Sequence, residues 1–280
     1  MQDMIDLVIG SNSYLGINLC RILDPRKTLL VSKRSNDKLN RAFTFLPCDL
    51  REFKIEISEQ VSRVFILARS NSPKKEDQIS FYQNLEASIL LLAAQNVDLE
   101  IHFISTSLVY ASHEYEPYDK HTIAAPEDLY EKMKLDFEKW LYSLISWHKG
   151  MKLRVYRIPL LIGGYLRSAD RERQLFYAFY NDIRQGNLWF FSTPESKHYG
   201  TAWLDVEVLC TQMIIADEAK GYHSYLPFSG NLSYYQFMRQ AHKRLMFPAM
   251  RSRSLPPASF MQMASEDQWG KEDFWTVFKV

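Results

Sequence analysis

A short apolar run, Ile5-Asp6-Leu7-Val8-Ile9, leads straight into Gly10-Ser11-Asn12-Ser13-Tyr14-Leu15-Gly16, and apolar residues then recur at Leu19, Ile22 and Leu23 before Pro25. The first run reads as a strand and the second pattern as a helix that the proline stops, with glycines bounding the turn between them. A strand, a tight turn and a helix in immediate succession belong chiefly to parallel sheets crossed by helices. At such a turn, backbone N–H groups and the helix dipole can hold a pyrophosphate. Gly10, Ser13 and Gly16 form a G-x-x-G-x-x-G spacing with serine in the middle. Ser13 is small enough for close approach, and its hydroxyl can bond a phosphate. An ordinary strand-to-helix turn with no ligand explains the same residues.

The alternation continues. Thr28-Leu29-Leu30-Val31-Ser32 and Phe43-Thr44-Phe45-Leu46 read as strands, and residues 61–68 (VSRVFILA) form the continuous apolar run of a strand covered on both faces. A long helix is predicted over residues 77–95, where Asn84 among apolar neighbours reads as a backbone-bonding residue. A strand ends in Ser105-Thr106-Ser107, an amphipathic helix carries Tyr130 and Lys134, and residues 152–158 (KLRVYRI) make a sixth strand. The expected fold class is α/β, a doubly wound parallel sheet. Residues 1–162 would form a dinucleotide-binding domain, and residues 163–280 a smaller substrate-binding lobe intertwined with it. In that second part, aromatics between 175 and 180 at helical spacing read as core, and Arg167, Arg171 and Arg173 as either an anion clamp or a solvated face. A helix is expected over 202–216, a strand over 222–227 and a helix from Ser233 to Leu245. The tail with Trp269, Phe274 and Trp275 is too aromatic to be a disordered end.

With 280 residues, 46% of them hydrophobic, the chain can bury a large core. A net charge of +1 gives no electrostatic footprint for nucleic acid or a membrane surface. The three cysteines, Cys20, Cys48 and Cys210, have no metal or redox spacing and read as buried thiols. No apolar run reaches the ~18 residues of a membrane span, and the N-terminus lacks a leader pattern. A soluble cytoplasmic protein without metal is the expectation.

Tyr130 and Lys134 lie four apart and so stand on one helix face. A hydroxyl at the end of a buried strand can face them. A phenol as acid/base, an ammonium that lowers its pKa and a second hydroxyl suit proton transfer at a carbonyl oxygen. The Tyr-x-x-x-Lys spacing is also common by chance in helices. After the second strand come Lys33 and Arg34, where a dinucleotide fold places either an acid on the adenosine ribose or a cation on a 2′-phosphate. No acid is present there, which favours NADP(H) over NAD(H); a solvated basic turn is the alternative.

In their order these pieces resemble the extended short-chain dehydrogenase/reductase family, the group of nucleotide-sugar epimerases, dehydratases and ketoreductases. The turn Gly10–Gly16 looks like its phosphate loop with one substitution, Cys48-Asp49-Leu50 like its adenine contact, and Phe65-Ile66-Leu67-Ala68 like its strand ending in alanine beside the cofactor. Asn84 to Ser88 matches the Asn-leading helix. Residues 104–111 (ISTSLVYA) are similar to the Ser-Ser/Thr-x-x-Val-Tyr-Gly segment, residues 157–163 (RIPLLIG) to the later Arg-Pro segment, and Leu204-Asp205-Val206 to a Val-Asp-Val step. The resemblance implies a Rossmann-type sheet. It also implies a Thr106–Tyr130–Lys134 catalytic set and a cofactor held by Gly10, Ser13, Tyr14, Leu15, Gly16, Lys33, Arg34, Asp49, Leu50, Ala68, Arg69, Ser105, Tyr130, Lys134 and Ile158. Substrate contacts would fall to Ser107, Leu160, Arg167 and Arg171.

Three departures stand out. Ser13 replaces a glycine, Arg69 follows the alanine where a small residue is usual, and Leu160 stands where nucleotide-sugar enzymes place an asparagine. Ser107-Leu108 after Thr106 lacks the acidic pair of the dehydratases. The implied activity is an NADP(H)-dependent ketoreductase or epimerase of a keto-deoxysugar nucleotide. A reductase of a non-nucleotide ketone or aldehyde and a silent NADP(H)-binding sensor or scaffold are the alternatives. A homodimer through the two long helices is compatible with a stripe of Leu91, Leu92, Phe137, Leu141 and Leu144, though the same stripe suits packing on the sheet.

Overall fold

The computed structural model describes residues 4–36, 39, 41–70, 72–110, 119, 121–165, 175–185, 200–215, 221–245, 269 and 273–278. Two compact units divide the chain: one holds Met1–Val109, Pro126–Arg157 and Leu209–Tyr225, the other Tyr110–Ala125, Ile158–Val208 and Leu226–Val280. In chain order the elements begin β1 (Ile5–Ile9), α1 (Tyr14–Cys20), β2 (Thr28–Ser32), β3 (Thr44–Pro47), β4 (Val61–Ile66), α2 (Lys75–Gln95), β5 (Glu100–Thr106), α3 (Leu129–Trp147) and β6 (Lys152–Ile158). They continue with β7 (Leu160–Ile162), α4 (Leu175–Arg184), β8 (Gly200–Asp205), α5 (Val206–Ile214), β9 (Gly221–Tyr225), β10 (Gly230–Ser233), α6 (Tyr234–Leu245) and α7 (Phe274–Val277).

The first unit is built on a seven-stranded sheet in the order β3-β2-β1-β4-β5-β6-β9. β1 is paired in parallel with both β2 and β4, and β9 in parallel with β6. The doubly wound parallel sheet is therefore present, with its order reversing between β1 and β4. That switch point is where such sheets open a crevice for a ligand. Its two faces differ. Leu7, Ile9, Val64, Ile66, Ile101, Phe103, Leu153 and Val155 point to one core with α2 and α3. On the alternate positions, Phe65 stacks on His102 at 4.7 Å, His102 on Tyr156 at 6.0 Å, and Tyr156 on Tyr225 at 5.2 Å. Beside this ladder, buried Arg154 lies 3.5 Å from Glu100 and Arg63 binds Asp6 at 2.6 Å.

Leu92, Phe137, Leu141 and Leu144 are buried in the core between sheet and helices, so that stripe serves the sheet and not a subunit surface; Leu91 is half-buried. Asn84 donates to the Leu50 carbonyl at 3.0 Å, a backbone duty. Two thiols, Cys20 and Cys210, are buried, while Cys48 is only half-buried and faces the Phe53 carbonyl. α1 ends at Cys20, a turn before Pro25, because Arg21 N–H closes the helix on Asn18 and Asp24 caps a separate 3-10 turn at Pro25–Lys27.

The second unit carries a three-stranded sheet, β10-β8-β7. The segment 202–205, expected as the start of a helix, is strand: Ala202 to Leu204 are fully buried, so no periodicity betrays them, and the segment pairs with β10 and β7. The helix begins only at Val206, where the Asp205 carboxylate takes the Glu207 N–H at 2.8 Å. Phe176, Tyr177, Trp203, Phe237, Phe274, Trp275 and Phe278 share one core, which confirms the aromatics of α4 and the tail as core. Ser233 caps α6 by accepting from Gln236 N–H.

Candidate active site

The first unit gathers its candidate residues at the C-terminal ends of β1, β4 and β5 and the first turns of α3. Gly10 follows β1 at φ +94°, and a Cβ there would lie 2.6 Å from the Ala68 backbone nitrogen across the switch point. A Cβ on Gly16 would meet the Gly10 carbonyl oxygen at 2.5 Å. These two glycines let strand, turn and helix close on one another. Ser13 differs: its φ of −69° suits any residue, and its hydroxyl accepts the Gly16 N–H at 3.0 Å as the cap of α1. The middle glycine of the pattern is thus replaced at no backbone cost. Tyr14 is half-buried in the first turn of α1, Leu15 is buried, and the Leu50 side chain is spent on the core.

α3 starts where it does because Asp128 and Glu131 form a capping box: the Asp128 carboxylate takes the Glu131 N–H at 2.8 Å, and the Glu131 carboxylate takes those of Asp128 and Glu127. This puts Tyr130 in the first turn and Lys134 one turn on. Lys134 is buried; its ammonium donates to the Ile104 carbonyl at 2.7 Å and lies 4.6 Å from the centre of the Phe103 ring. Burial, then the charge of Arg69, holds Lys134 down to about 7, against an opposing pull from Glu138. Glu138 is itself fixed by Arg157 of β6, which donates at 2.7 Å.

Tyr130 is pushed up by burial, while the charge and hydrogen bond of Arg69 pull it down. Thr106 closes β5; its Oγ1 accepts the Leu108 N–H at 3.2 Å, leaving the hydroxyl proton to donate. Ser105 and Ser107 are buried beside it, and among the described residues the Ser105 hydroxyl has no hydrogen-bond partner. Thr106, Tyr130 and Lys134 therefore share one unit, with Ser105, Ala68 and Arg69 on neighbouring strand ends.

Lys33 and Asp49, both expected on the adenosine end of a cofactor, bind each other at 2.6 Å. Arg51, unmarked in the sequence reading, shares the same carboxylate at 2.7 Å and keeps Asp49 well below the usual carboxylate range. Arg34 is exposed, and its carbonyl accepts from Ser32 at 2.7 Å. Ile158 ends β6 half-buried, whereas Leu160 packs on the core of the second unit. Arg167 and Arg171 lie outside the described residues. Two further features adjoin these residues without a signal of their own in the site motifs: Tyr82 of α2, a phenol that burial first and then Tyr130 push up while Arg69 pulls it down, and the capping box, readable from its Asp-x-x-Glu spacing. Among the described residues no cluster of His, Cys, Asp and Glu could hold a metal, and no helix is long and apolar enough to cross a membrane.

A parallel sheet whose strand order reverses at a glycine turn is the doubly wound, Rossmann-like α/β class. The chain matches the model of the NAD dependent epimerase/dehydratase family over residues 7–216 and belongs to that family. It is similar to a solved UDP-glucose-4-epimerase of Stenotrophomonas maltophila with bound NAD at 15% identity and a TM-score of 0.73, covering 94% of this chain and 90% of that one. A UDP-N-acetylglucosamine 4-epimerase of Methanobrevibacter ruminantium gives 14% identity and 0.72, over 95% and 90%. A dTDP-glucose 4,6-dehydratase of Bacillus anthracis gives 13% and 0.71, over 94% and 88%. At such identities the likeness establishes the fold. No curated protein matches the chain.

Proposed function

We propose that this protein is an NADP(H)-dependent oxidoreductase or epimerase acting on a sugar nucleotide, most simply a ketoreductase of a keto-deoxysugar. The observation that carries this reading is that Thr106, Tyr130 and Lys134 belong to one compact unit of a chain of this family. The residues fit a dinucleotide: the Gly10 turn at the switch point and the buried Ser105 hydroxyl, unpartnered among the described residues, are features a bound cofactor would use. When bound, the nicotinamide supplies or takes up hydride. Tyr130 gives its phenolic proton to the substrate oxygen in reduction and recovers it in the reverse direction. Thr106 donates its hydroxyl proton to the same oxygen. Lys134 has two N–H groups beyond the one spent on Ile104, and these would hold the nicotinamide ribose.

Lys33 and Arg34 support NADP(H) over NAD(H). The Lys33–Asp49 ion pair leaves the Lys33 side chain half exposed, so the ammonium stays within reach of solvent and of an anion. The sugar-nucleotide class comes from the solved relatives, whose names specify UDP- and dTDP-sugars. The second reading, a reductase of a non-nucleotide carbonyl, is favoured by Leu160, which brings an apolar side chain engaged in core packing.

The test is a fluorescence titration of the protein with NADPH and NADH, then turnover on a panel of sugar nucleotides and simple carbonyls. Tight NADPH binding, turnover of a sugar nucleotide and its loss in Tyr130→Phe are expected. A Tyr130→Phe variant that turns over as fast as the wild type removes the mechanism, and binding of neither nucleotide removes the enzyme.

A further inference from the structure

Arg69 follows Ala68 at the end of β4, the strand end that abuts Gly10. Its guanidinium carbon stands 5.9 Å from the centre of the Tyr130 ring and the group hydrogen-bonds the phenol. Lys134, the cation expected to serve that phenol, instead directs its ammonium to the Ile104 carbonyl at 2.7 Å. The remaining charges around the phenol are unhelpful to its ionisation. Asp128, which caps α3, and Glu131, in its first turn, both oppose it. From α2 comes Tyr82, a buried phenol whose hydroxyl has no hydrogen-bond partner among the described residues and which adds no positive charge.

We propose that Arg69 is a positioning residue for Tyr130, the fixed cation that holds the phenol and favours its ionised form in the place Lys134 leaves by turning to the strand. This rests on Tyr130 being the acid/base of the reaction proposed above. A guanidinium keeps its charge at every working pH, whereas an ammonium held near neutrality is charged only part of the time. Arg69 also repels the Lys134 charge, so one side chain favours tyrosinate and neutral lysine together. The departure from the small residue expected after Ala68 then has a purpose: the acid/base is tuned from the β4 end.

The experiment replaces tyrosine throughout by a ring-fluorinated tyrosine and follows the phenols by fluorine NMR against pH. The fluorine lowers every phenol's midpoint, and Tyr130→Phe identifies the Tyr130 signal. Arg69 is exposed, so its substitution leaves the core alone. Arg69→Gln is expected to raise the Tyr130 midpoint by about half a pH unit to one unit, and Arg69→Lys to recover most of that shift. The direction decides. A merely loosened site would relieve burial and lower the phenol, so an unchanged or lowered midpoint in Arg69→Gln overturns the proposal. Equal upward shifts in Arg69→Gln and Arg69→Lys overturn it as well, because charge would then not be what acts. The titration needs neither substrate nor cofactor. A failed turnover screen therefore removes the proposed function and leaves this result to stand or fall alone.

Discussion

Replacing Lys134 by methionine should stabilise the protein at low pH and lose that advantage as the pH rises. Lys134 is 3% exposed, and burial, reinforced by Arg69, lowers its ammonium from 10.5 to about 7. Between those values the unfolded chain holds a proton that the folded chain does not, so this group makes folding stability rise with pH. The whole difference is worth about 5 kcal/mol against the fold well below pH 7. Roughly 3 kcal/mol of it is recovered between about pH 6 and about pH 9.5. Lys134→Met keeps an apolar stem against Phe103 and removes the charge, at a cost of about 1 kcal/mol for the bond to the Ile104 carbonyl. Urea denaturation of both proteins at the two pH values isolates the effect, since other titrating groups cancel in the difference. The wild type should gain about 3 kcal/mol on the variant across the range. A difference that stays flat would refute the reasoning and place the lysine in contact with water.

Other sites give further expectations. Gly10→Ala should cost about 2 kcal/mol or more in unfolding free energy, from its φ of +94° and a Cβ 2.6 Å from Ala68 N; a cost near zero would mean the turn relaxes freely. Ser13→Ala should cost about 1 kcal/mol through the lost cap and Ser13→Gly only a few tenths, both read by thermal unfolding. Equal losses would show that the hydroxyl does not cap α1. Arg157→Met should destabilise by about 3 kcal/mol because it strands buried Glu138, and the loss should be little changed by salt. Restoration by a second change, Glu138→Gln, checks that the stranded carboxylate is the cause.

The central sheet was legible because its strands, buried on both sides, are written as near-continuous apolar runs punctuated by glycine and proline. β2 and β6 fall on the predicted residues, and β1 runs straight into its glycine turn. The same property hid β8. Ala202, Trp203 and Leu204 are buried on every side, and a short apolar run without period reads as helix as readily as strand. The α2 and α3 stripe was legible as apolar but not as to its partner, since sheet and second subunit demand the same residues. At the site, Tyr130 and Lys134 were visible because one helix turn joins them. Arg69 on Tyr130 and Lys33 on Asp49 depend on which strands are neighbours, and no local spacing encodes that.

The seventh strand of the central sheet has a consequence for how the chain is made. β9 pairs with β6, yet β7, α4, β8 and α5 are synthesised between them. Until residue 225 has left the ribosome, β6 is an exposed edge offering unpaired backbone groups, with the Tyr156 ring lacking its Tyr225 neighbour. The N-terminal six strands on their own would therefore present an open pairing edge, the feature that makes a growing chain prone to aggregate. A fragment ending near residue 160 would carry every catalytic candidate and still leave that edge open. Supplying the β9 segment as a separate peptide would be the natural way to close it.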